Sequence, residues 1–169
     1  MTALNVFFSH GQESGPWGTK IQSMADVAEE AGASVTSVDY RGIDDPGQRV
    51  EKLIRECAGV DGLLLVGSSM GGHVATAAAI RIKTAGIFVL APAYYMPGYE
   101  KLTPLPPACP FAIVHGWNDD VVPVENSIRY ARDAAADLHI LDGDHRLTDN
   151  IDQINELFRD FIRRVAASR

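Results

Sequence analysis

Gly67-Ser68-Ser69-Met70-Gly71 follows the unbroken apolar run Leu63-Leu64-Leu65-Val66 and precedes an alanine-rich segment. The run predicts a buried strand, and the small residues after it predict a helix that packs closely on a sheet. A strand that turns into a helix this sharply strains the central residue, and side chains two positions to either side would collide. Glycines at 67 and 71 remove those collisions. The stretch therefore predicts a tight turn that presents the hydroxyl of Ser69 at the end of a strand.

Strand and helix patterns alternate along the rest of the chain. Apolar and β-branched runs predict six strands, at residues 4–9, 34–39, 62–66, 86–91, 111–115 and 138–141. Apolar residues at helical spacing predict five helices between and after them, with stripes within residues 21–31, 50–57, 70–83, 124–135 and 151–165. This alternation predicts an α/β fold with about six mostly parallel strands flanked by helices.

Local signals predict where several helices begin and end. Asp45 and Pro46 are a typical N-cap residue and first-turn proline for the second helix, and Pro123 opens the fourth. Gly32 is expected just after the end of the first helix, where a left-handed backbone favours glycine.

Length and charge limit the classes of function. With 169 residues, the chain is expected to form a single domain, residues 1–169. The net charge is −7, and acidic and basic residues are mixed along the sequence rather than grouped. Because a nucleic-acid partner requires a basic stripe, we expect no nucleic-acid partner.

The N-terminus and the cysteines indicate an expected location. The first residues have no basic region of a signal peptide, and no apolar stretch approaches the length of a membrane span. Cys57 lies on the apolar face of a predicted helix and is expected to be a buried thiol, while Cys109 lies among prolines; neither has metal-ligand spacing. A disulfide between them stays open. We expect a cytoplasmic protein that does not contact membranes.

Two later strand ends supply what a reactive serine needs. A serine hydroxyl becomes a nucleophile when a base takes its proton and a third group orients the base. Asp119 follows the fifth predicted strand and His145 the sixth, so Ser69, Asp119 and His145 occur in order at carboxyl ends of strands, where ligands bind in open α/β sheets. The remaining histidines lack this order or context: His10, His73, His115 and His139.

On these motifs, the chain resembles the α/β-hydrolase superfamily, close to its small esterase, thioesterase and dienelactone-hydrolase-like members. The resemblance extends over nearly the whole chain and rests on four stretches: His10-Gly11-Gln12, Gly67-Ser-Ser-Met-Gly71, His115-Gly-Trp-Asn-Asp119-Asp-Val-Val-Pro123 and Gly143-Asp-His145. It implies a minimal version of the fold. The antiparallel hairpin that opens larger relatives is expected to be absent, and no insertion is long enough for a cap domain.

The resemblance also implies roles for individual residues. Asp119 corresponds to the acid of the triad, with the adjacent Asp120 as the alternative, and His145 corresponds to the base. The backbone amides of Met70 and Gln12 correspond to the oxyanion hole. The resemblance implies neither a cofactor nor a metal.

Residues 92–110 interrupt the regular pattern with prolines at 92, 97, 104, 106, 107 and 110. A connection of this length is usually functional or disordered. Tyr94, Tyr95 and Met96 in this segment are candidates for lining a substrate pocket, and Trp17 is a candidate for its border. Ordinary packing is the alternative for all four.

The sequence thus leads to a hypothesis and its alternatives. The hypothesis is a cofactor-free serine hydrolase that cleaves a small-molecule carboxylic ester or thioester through an acyl-enzyme on Ser69. The alternatives are cleavage of peptide, lactone or carbon–carbon bonds, and a non-catalytic binding module of the same fold. A nucleotide-binding domain is disfavoured, since no glycine-rich phosphate loop follows the first strand. The natural substrate and the oligomeric state stay open.

Overall fold

One sheet of six strands forms the centre of the molecule in the computed structural model, which describes residues 3–169. The strands are β1 (Asn5–Ser9), β2 (Ser34–Val38), β3 (Leu63–Ser68), β4 (Gly86–Leu90), β5 (Phe111–Gly116) and β6 (Asp137–Leu141). Their order across the sheet is β2-β1-β3-β4-β5-β6, and the pairings among the described residues are all parallel. The predicted α/β fold is confirmed, and β3 lies in the interior of the sheet.

Helices connect and cover the strands. They are α1 (Thr19–Glu30), α2 (Pro46–Glu56), α3 (Met70–Ala79), α4 (Val124–Ala134) and α5 (Ile151–Ala167). Short 3-10 turns occur at Glu100–Leu102 and Thr148–Asn150. Within residues 3–169, none of the helices is both long enough and apolar enough to cross a membrane.

Alternate residues of each strand face opposite layers of helices. Val6, Leu64 and Phe88 pack in one core with α1 and α5, whereas their neighbours Phe7 and Leu65 pack with α2 and α3 on the other face. Because both faces are covered, β3 is apolar on both sides over residues 63–66, as the run there predicts.

The predicted helix boundaries hold at three positions. Asp45 caps α2, and its carboxylate accepts a hydrogen bond from the backbone N–H of Gln48 at 2.7 Å. Gly32 has φ of +83° just after α1, and α4 begins directly after Pro123. These positions fix how the loops at the carboxyl edge of the sheet enter the following helices.

Two helix predictions require correction. α3 ends at Ala79 rather than near residue 83, because the chain turns after it. In this turn the backbone N–H of Arg81 donates to the carbonyl of Ala78 at 2.9 Å. In α4 the predicted stripe reached residue 135, yet Ala135 lies outside the helix with φ of +50°. Tyr130 is a buried residue of that helix face instead.

Candidate active site

Ser69 lies in a strained turn between β3 and α3. Its backbone has φ 54° and ψ −119°, a conformation that non-glycine residues keep only where the surrounding structure enforces it. A Cβ on Gly67 would collide with the backbone of Gly71, and a Cβ on Gly71 would collide with carbonyl groups at the end of β1. The glycines at both positions therefore permit the sharp turn that the sequence predicts.

The side chains of Ser69, His145 and Asp119 form one hydrogen-bonded chain. His145 Nε2 lies 3.1 Å from Ser69 Oγ, and His145 Nδ1 lies 2.7 Å from Asp119 Oδ2. These distances suit proton transfer between the serine and the imidazole, with the carboxylate fixing the ring orientation. The structure thus brings together the three residues that the sequence places at separate strand ends. Asp120, the alternative acid, is exposed.

The carboxylate of Asp119 is fully buried and surrounded by donors. Its Oδ1 accepts hydrogen bonds from the backbone N–H groups of Val121 at 2.9 Å and Val122 at 2.8 Å. Burial by itself would raise the pKa of Asp119, but the hydrogen bonds from His145 and from these two amides outweigh it and leave the pKa below its ordinary value. The group is therefore ionised at neutral pH and can pair with His145.

His115 is a second histidine in contact with Asp119. Its Nε2 lies 3.0 Å from Asp119 Oδ2 and 2.9 Å from the carbonyl oxygen of Val122, so this nitrogen carries the proton and donates it. The Ser127 hydroxyl lies 2.7 Å from Nδ1, where it acts as the donor. Burial lowers the pKa of His115, which is consistent with a neutral ring. Sequence reasoning identified no contact between His115 and the candidate acid.

Close backbone approach fixes the loop that bears His145. A Cβ on Gly116 would collide with the carbonyl of Gly143, so the loops after β5 and β6 can pack only with glycine here. The backbone N–H of Asn118 donates to that same carbonyl at 2.9 Å. Asp144 Oδ1 accepts from the backbone N–H of Leu147 at 2.9 Å and closes the turn around His145. The imidazole is thereby held between Asp119 and Ser69.

Lys20 is a cation near these loops that sequence reasoning did not single out. Its Nζ lies 3.3 Å from Ser68 Oγ. Burial lowers the pKa of Lys20 to about 8, although the carboxylates of Asp144 and Asp119 act in the opposite direction. At neutral pH the side chain therefore carries a positive charge, which the carboxylates of Asp144 and Asp119 stabilise.

A cavity of about 240 Å³ opens beside Ser69. Its wall is mainly apolar and includes Pro46, Met70, Ala93, Met96, Tyr99, Leu102, Val121 and Val122. Asp44 and His73 add polar groups, and Gln12 borders the cavity next to Ser69. Of the residues expected to contact substrate, Met96 lies in the wall as predicted. The cavity is somewhat smaller than most ligand pockets, whose volumes are about 300–1,000 Å³.

Three of the residues predicted to line or border the pocket lie elsewhere. Tyr94 is fully buried in the core, where its hydroxyl lies 2.6 Å from Thr76 Oγ1 and its ring stacks on Tyr130 at 4.0 Å. Tyr95 packs under the guanidinium of Arg129. Trp17 is 48% exposed and outside the cavity wall. The prediction that Tyr94 and Tyr95 line the substrate pocket is wrong, because Tyr94 packs in the core and Tyr95 packs against Arg129. Trp17 does not lie at the border of the cavity.

A second, larger cavity of about 630 Å³ lies at the opposite edge of the sheet. Leu4, Ala33, Leu63 and Ala85 line it, and these residues lie at the amino ends of the strands. Since ligands of open α/β sheets bind at the carboxyl ends, its size alone does not make it a functional site.

Comparison with known proteins identifies the family to which this fold belongs. The family model of the alpha/beta hydrolase family matches residues 6–167. The chain belongs to the alpha/beta hydrolase family. The same family includes enzymes whose serine nucleophile lies on a strand-to-helix turn, with its triad partners later in the chain.

Solved structures of this family resemble the whole chain. A hydrolase-superfamily protein from Xanthomonas campestris pv. campestris is 27% identical, with a TM-score of 0.89 over 96% of this chain and 99% of the other. Est1E from Butyrivibrio proteoclasticus is 16% identical, with a TM-score of 0.86 over 98% and 89%. The esterase Pf2001 from Pyrococcus furiosus is 15% identical, with a TM-score of 0.82 over 96% and 83%. The last two likenesses show the fold alone. A comparison with curated proteins gives no match.

Proposed function

We propose that this alpha/beta hydrolase cleaves a small carboxylic ester or thioester through an acyl-enzyme on Ser69. The observation that carries the proposal is the chain of contacts from Ser69 Oγ to His145 Nε2 at 3.1 Å and from His145 Nδ1 to Asp119 Oδ2 at 2.7 Å. A buried, ionised carboxylate, a neutral imidazole and a serine hydroxyl in this geometry are the parts that acyl transfer requires.

In the proposed first half-reaction, Ser69 Oγ attacks the substrate carbonyl carbon while His145 Nε2 takes the hydroxyl proton. The carbonyl oxygen becomes an oxyanion, and the backbone N–H groups of Met70 and Gln12 donate hydrogen bonds to it. Met70 is the first residue of α3, and the first N–H groups of a helix have no partner within the helix. When the tetrahedral intermediate collapses, His145 passes its proton to the departing alcohol or thiol.

In the second half-reaction, water attacks the acyl-enzyme. His145 takes a proton from the water and returns it to Ser69 Oγ as the carboxylic acid leaves. Asp119 stays ionised throughout and stabilises the imidazolium that forms in each half. The small, mainly apolar cavity beside Ser69 supports a short acyl group rather than a long one.

The test compares hydrolysis of p-nitrophenyl acetate and S-phenyl thioacetate by the wild type and by Ser69→Ala. We expect the substitution to lower kcat/KM by about 10³-fold or more, because the acyl-enzyme cannot form. Ser68→Ala is the matched control, since it removes a hydroxyl one residue away. Equal rates in the wild type and Ser69→Ala would contradict the proposal, and a folded wild type that binds esters without turnover would favour the binding module.

A further inference from the structure

Arg49 is a buried arginine, and the carboxylate of Asp44 acts on it only from beyond ion-pair distance. It lies in the first turns of α2 and is 1% exposed. The ion pairs formed within residues 3–169 do not include it. A buried charge is costly unless polar groups surround it, and backbone carbonyl groups do so here.

The guanidinium of Arg49 donates to backbone carbonyl groups. Nε lies 2.7 Å from the carbonyl oxygen of Ile43. Nη1 lies 3.3 Å from that of His10 and 3.2 Å from that of Gly11, and Nη2 lies 3.5 Å from that of Gln12. The last three are consecutive residues of the loop after β1. The Arg49 side chain thus donates hydrogen bonds to three consecutive carbonyl groups of the loop that borders Ser69.

The Gly11 carbonyl has a second donor on its oxygen. The backbone N–H of Tyr40 donates to His10 Nε2 at 2.9 Å, so the ring proton of neutral His10 lies on Nδ1. That Nδ1–H donates to the Gly11 carbonyl at 2.8 Å. The Ser14 hydroxyl donates to the same oxygen at 3.3 Å. Together with Arg49, three donors therefore surround this carbonyl and fix its direction.

Fixing this carbonyl also fixes the next N–H group. In a trans peptide, the carbonyl and the following N–H point in opposite directions, and cis peptides are absent from residues 3–169. The N–H of Gln12 is therefore directed away from Arg49. Gly11 lies next to the nucleophile, since a Cβ placed on it would be 3.6 Å from Ser69 Cβ, and Gln12 borders the same cavity.

We propose that Arg49 is a positioning residue for the oxyanion hole: it anchors the Gly11 carbonyl so that the Gln12 N–H faces the oxyanion formed at Ser69. The inference rests on the proposed function. The positive charge behind the carbonyl also polarises the peptide group and makes its N–H a stronger donor, because linked hydrogen bonds strengthen one another in a buried site. The benefit is largest when charge develops on the substrate oxygen, so Arg49 acts on the transition state more than on substrate binding.

The test uses Arg49→Met, which keeps much of the length but removes the donors and the charge, and Arg49→Lys, which keeps the charge. Leu53→Ala is the matched control, because it removes a fully buried apolar side chain from the same helix that packs in the core with Phe7 and Leu65. For each folded variant we would measure kcat and KM for p-nitrophenyl acetate, inhibition by n-butylboronic acid, and amide hydrogen exchange of the peptide that contains residues 10–14.

We expect Arg49→Met to lower kcat by about 10- to 100-fold with little change in KM, somewhat less than the loss of a whole oxyanion donor. The inhibition constant for the boronic acid, whose adduct is tetrahedral, rises in parallel, and exchange in the loop becomes faster. The kcat of Arg49→Lys is expected to lie between those of Arg49→Met and the wild type. Leu53→Ala lowers the thermal midpoint and leaves kcat within about twofold.

Two outcomes would overturn the role of Arg49. One is a kcat for folded Arg49→Met and Arg49→Lys equal to that of the wild type. The other is a loss of kcat in Leu53→Ala that matches the loss in Arg49→Met. If Arg49→Met does not fold, Arg49→Lys and its loop exchange decide the question. Failure of the proposed function is recognised separately, because the wild type then lacks hydrolysis that depends on Ser69.

Discussion

The two regions around Ser69 are held in different ways. The loops after β5 and β6 are fixed by short hydrogen bonds, including those that Asp119 receives from two backbone amides and His145. Residues 92–110 are anchored through Tyr94 in the core and through the Pro104 carbonyl, which accepts from the Tyr130 hydroxyl at 2.9 Å, yet Leu102 in the cavity wall is 56% exposed. Proton transfer requires fixed hydrogen-bond distances, whereas an apolar wall needs only contact. Substitutions in the first region should therefore cost far more than those in the second.

The largest expected effect is the difference in activity between substitutions of two adjacent carboxylates, Asp119 and Asp120. Asp119→Asn keeps the shape of the side chain but favours the wrong tautomer of His145, so kcat/KM for p-nitrophenyl acetate should fall by about 10³- to 10⁴-fold. Asp120→Asn removes an exposed charge and should change it by no more than about twofold. Steady-state kinetics of both variants check this. Equal losses of kcat/KM in the two variants, or a larger loss in Asp120→Asn, would show that Asp119 is not the acid of the triad.

The next effect is the dependence on pH. Imidazole side chains gain a proton between about pH 8 and pH 5, and a protonated His145 cannot accept the proton of Ser69. The pKa of Asp119 is below its ordinary value, so this carboxylate stays ionised over the same range. Hydrolysis should therefore fall as the pH drops across this range. Circular dichroism at each pH controls for unfolding, and a constant rate would be inconsistent with His145 as base.

The smallest effect concerns the apolar wall. Leu102→Ala removes a side chain that lines the cavity, so the ratio of kcat/KM for a hexanoyl ester to that for an acetyl ester should fall by about threefold to tenfold. Leu105→Ala is the control, because Leu105 lies in the same segment, is 75% exposed and is outside the wall. An unchanged ratio, or the same change in both variants, would mean that residues 92–110 do not form the acyl pocket.

The fold and the meeting of Ser69, Asp119 and His145 could be predicted because each depends on local pattern and on the parallel topology. Each residue lies in the turn or loop that follows a strand, and parallel strands bring such positions to one edge. The glycines at 67 and 71 also have a steric reason that is visible in the sequence alone. A few short motifs are therefore enough to predict that Ser69, Asp119 and His145 meet at one edge of the sheet.

The contacts of Arg49 and Tyr94 could not be predicted in this way. Arg49 adjoins the apolar stripe of α2, and an arginine there is usually solvated; its burial depends on carbonyl groups 37 to 39 residues earlier in the chain. Tyr94 lies in a proline-rich segment that indicates a pocket wall, but Thr76 and Tyr130 draw it into the core. Both outcomes depend on long-range packing, for which sequence periodicity gives no signal.

The most direct test of the central claim is covalent labelling of the folded wild type with a fluorophosphonate, followed by intact-mass and peptide mass spectrometry. If Ser69 is an activated nucleophile, the protein gains one phosphonyl group, the modified peptide locates it on Ser69, and Ser69→Ala stays unlabelled. A folded wild type that stays unmodified, or an adduct on another residue such as Ser68, would contradict the account.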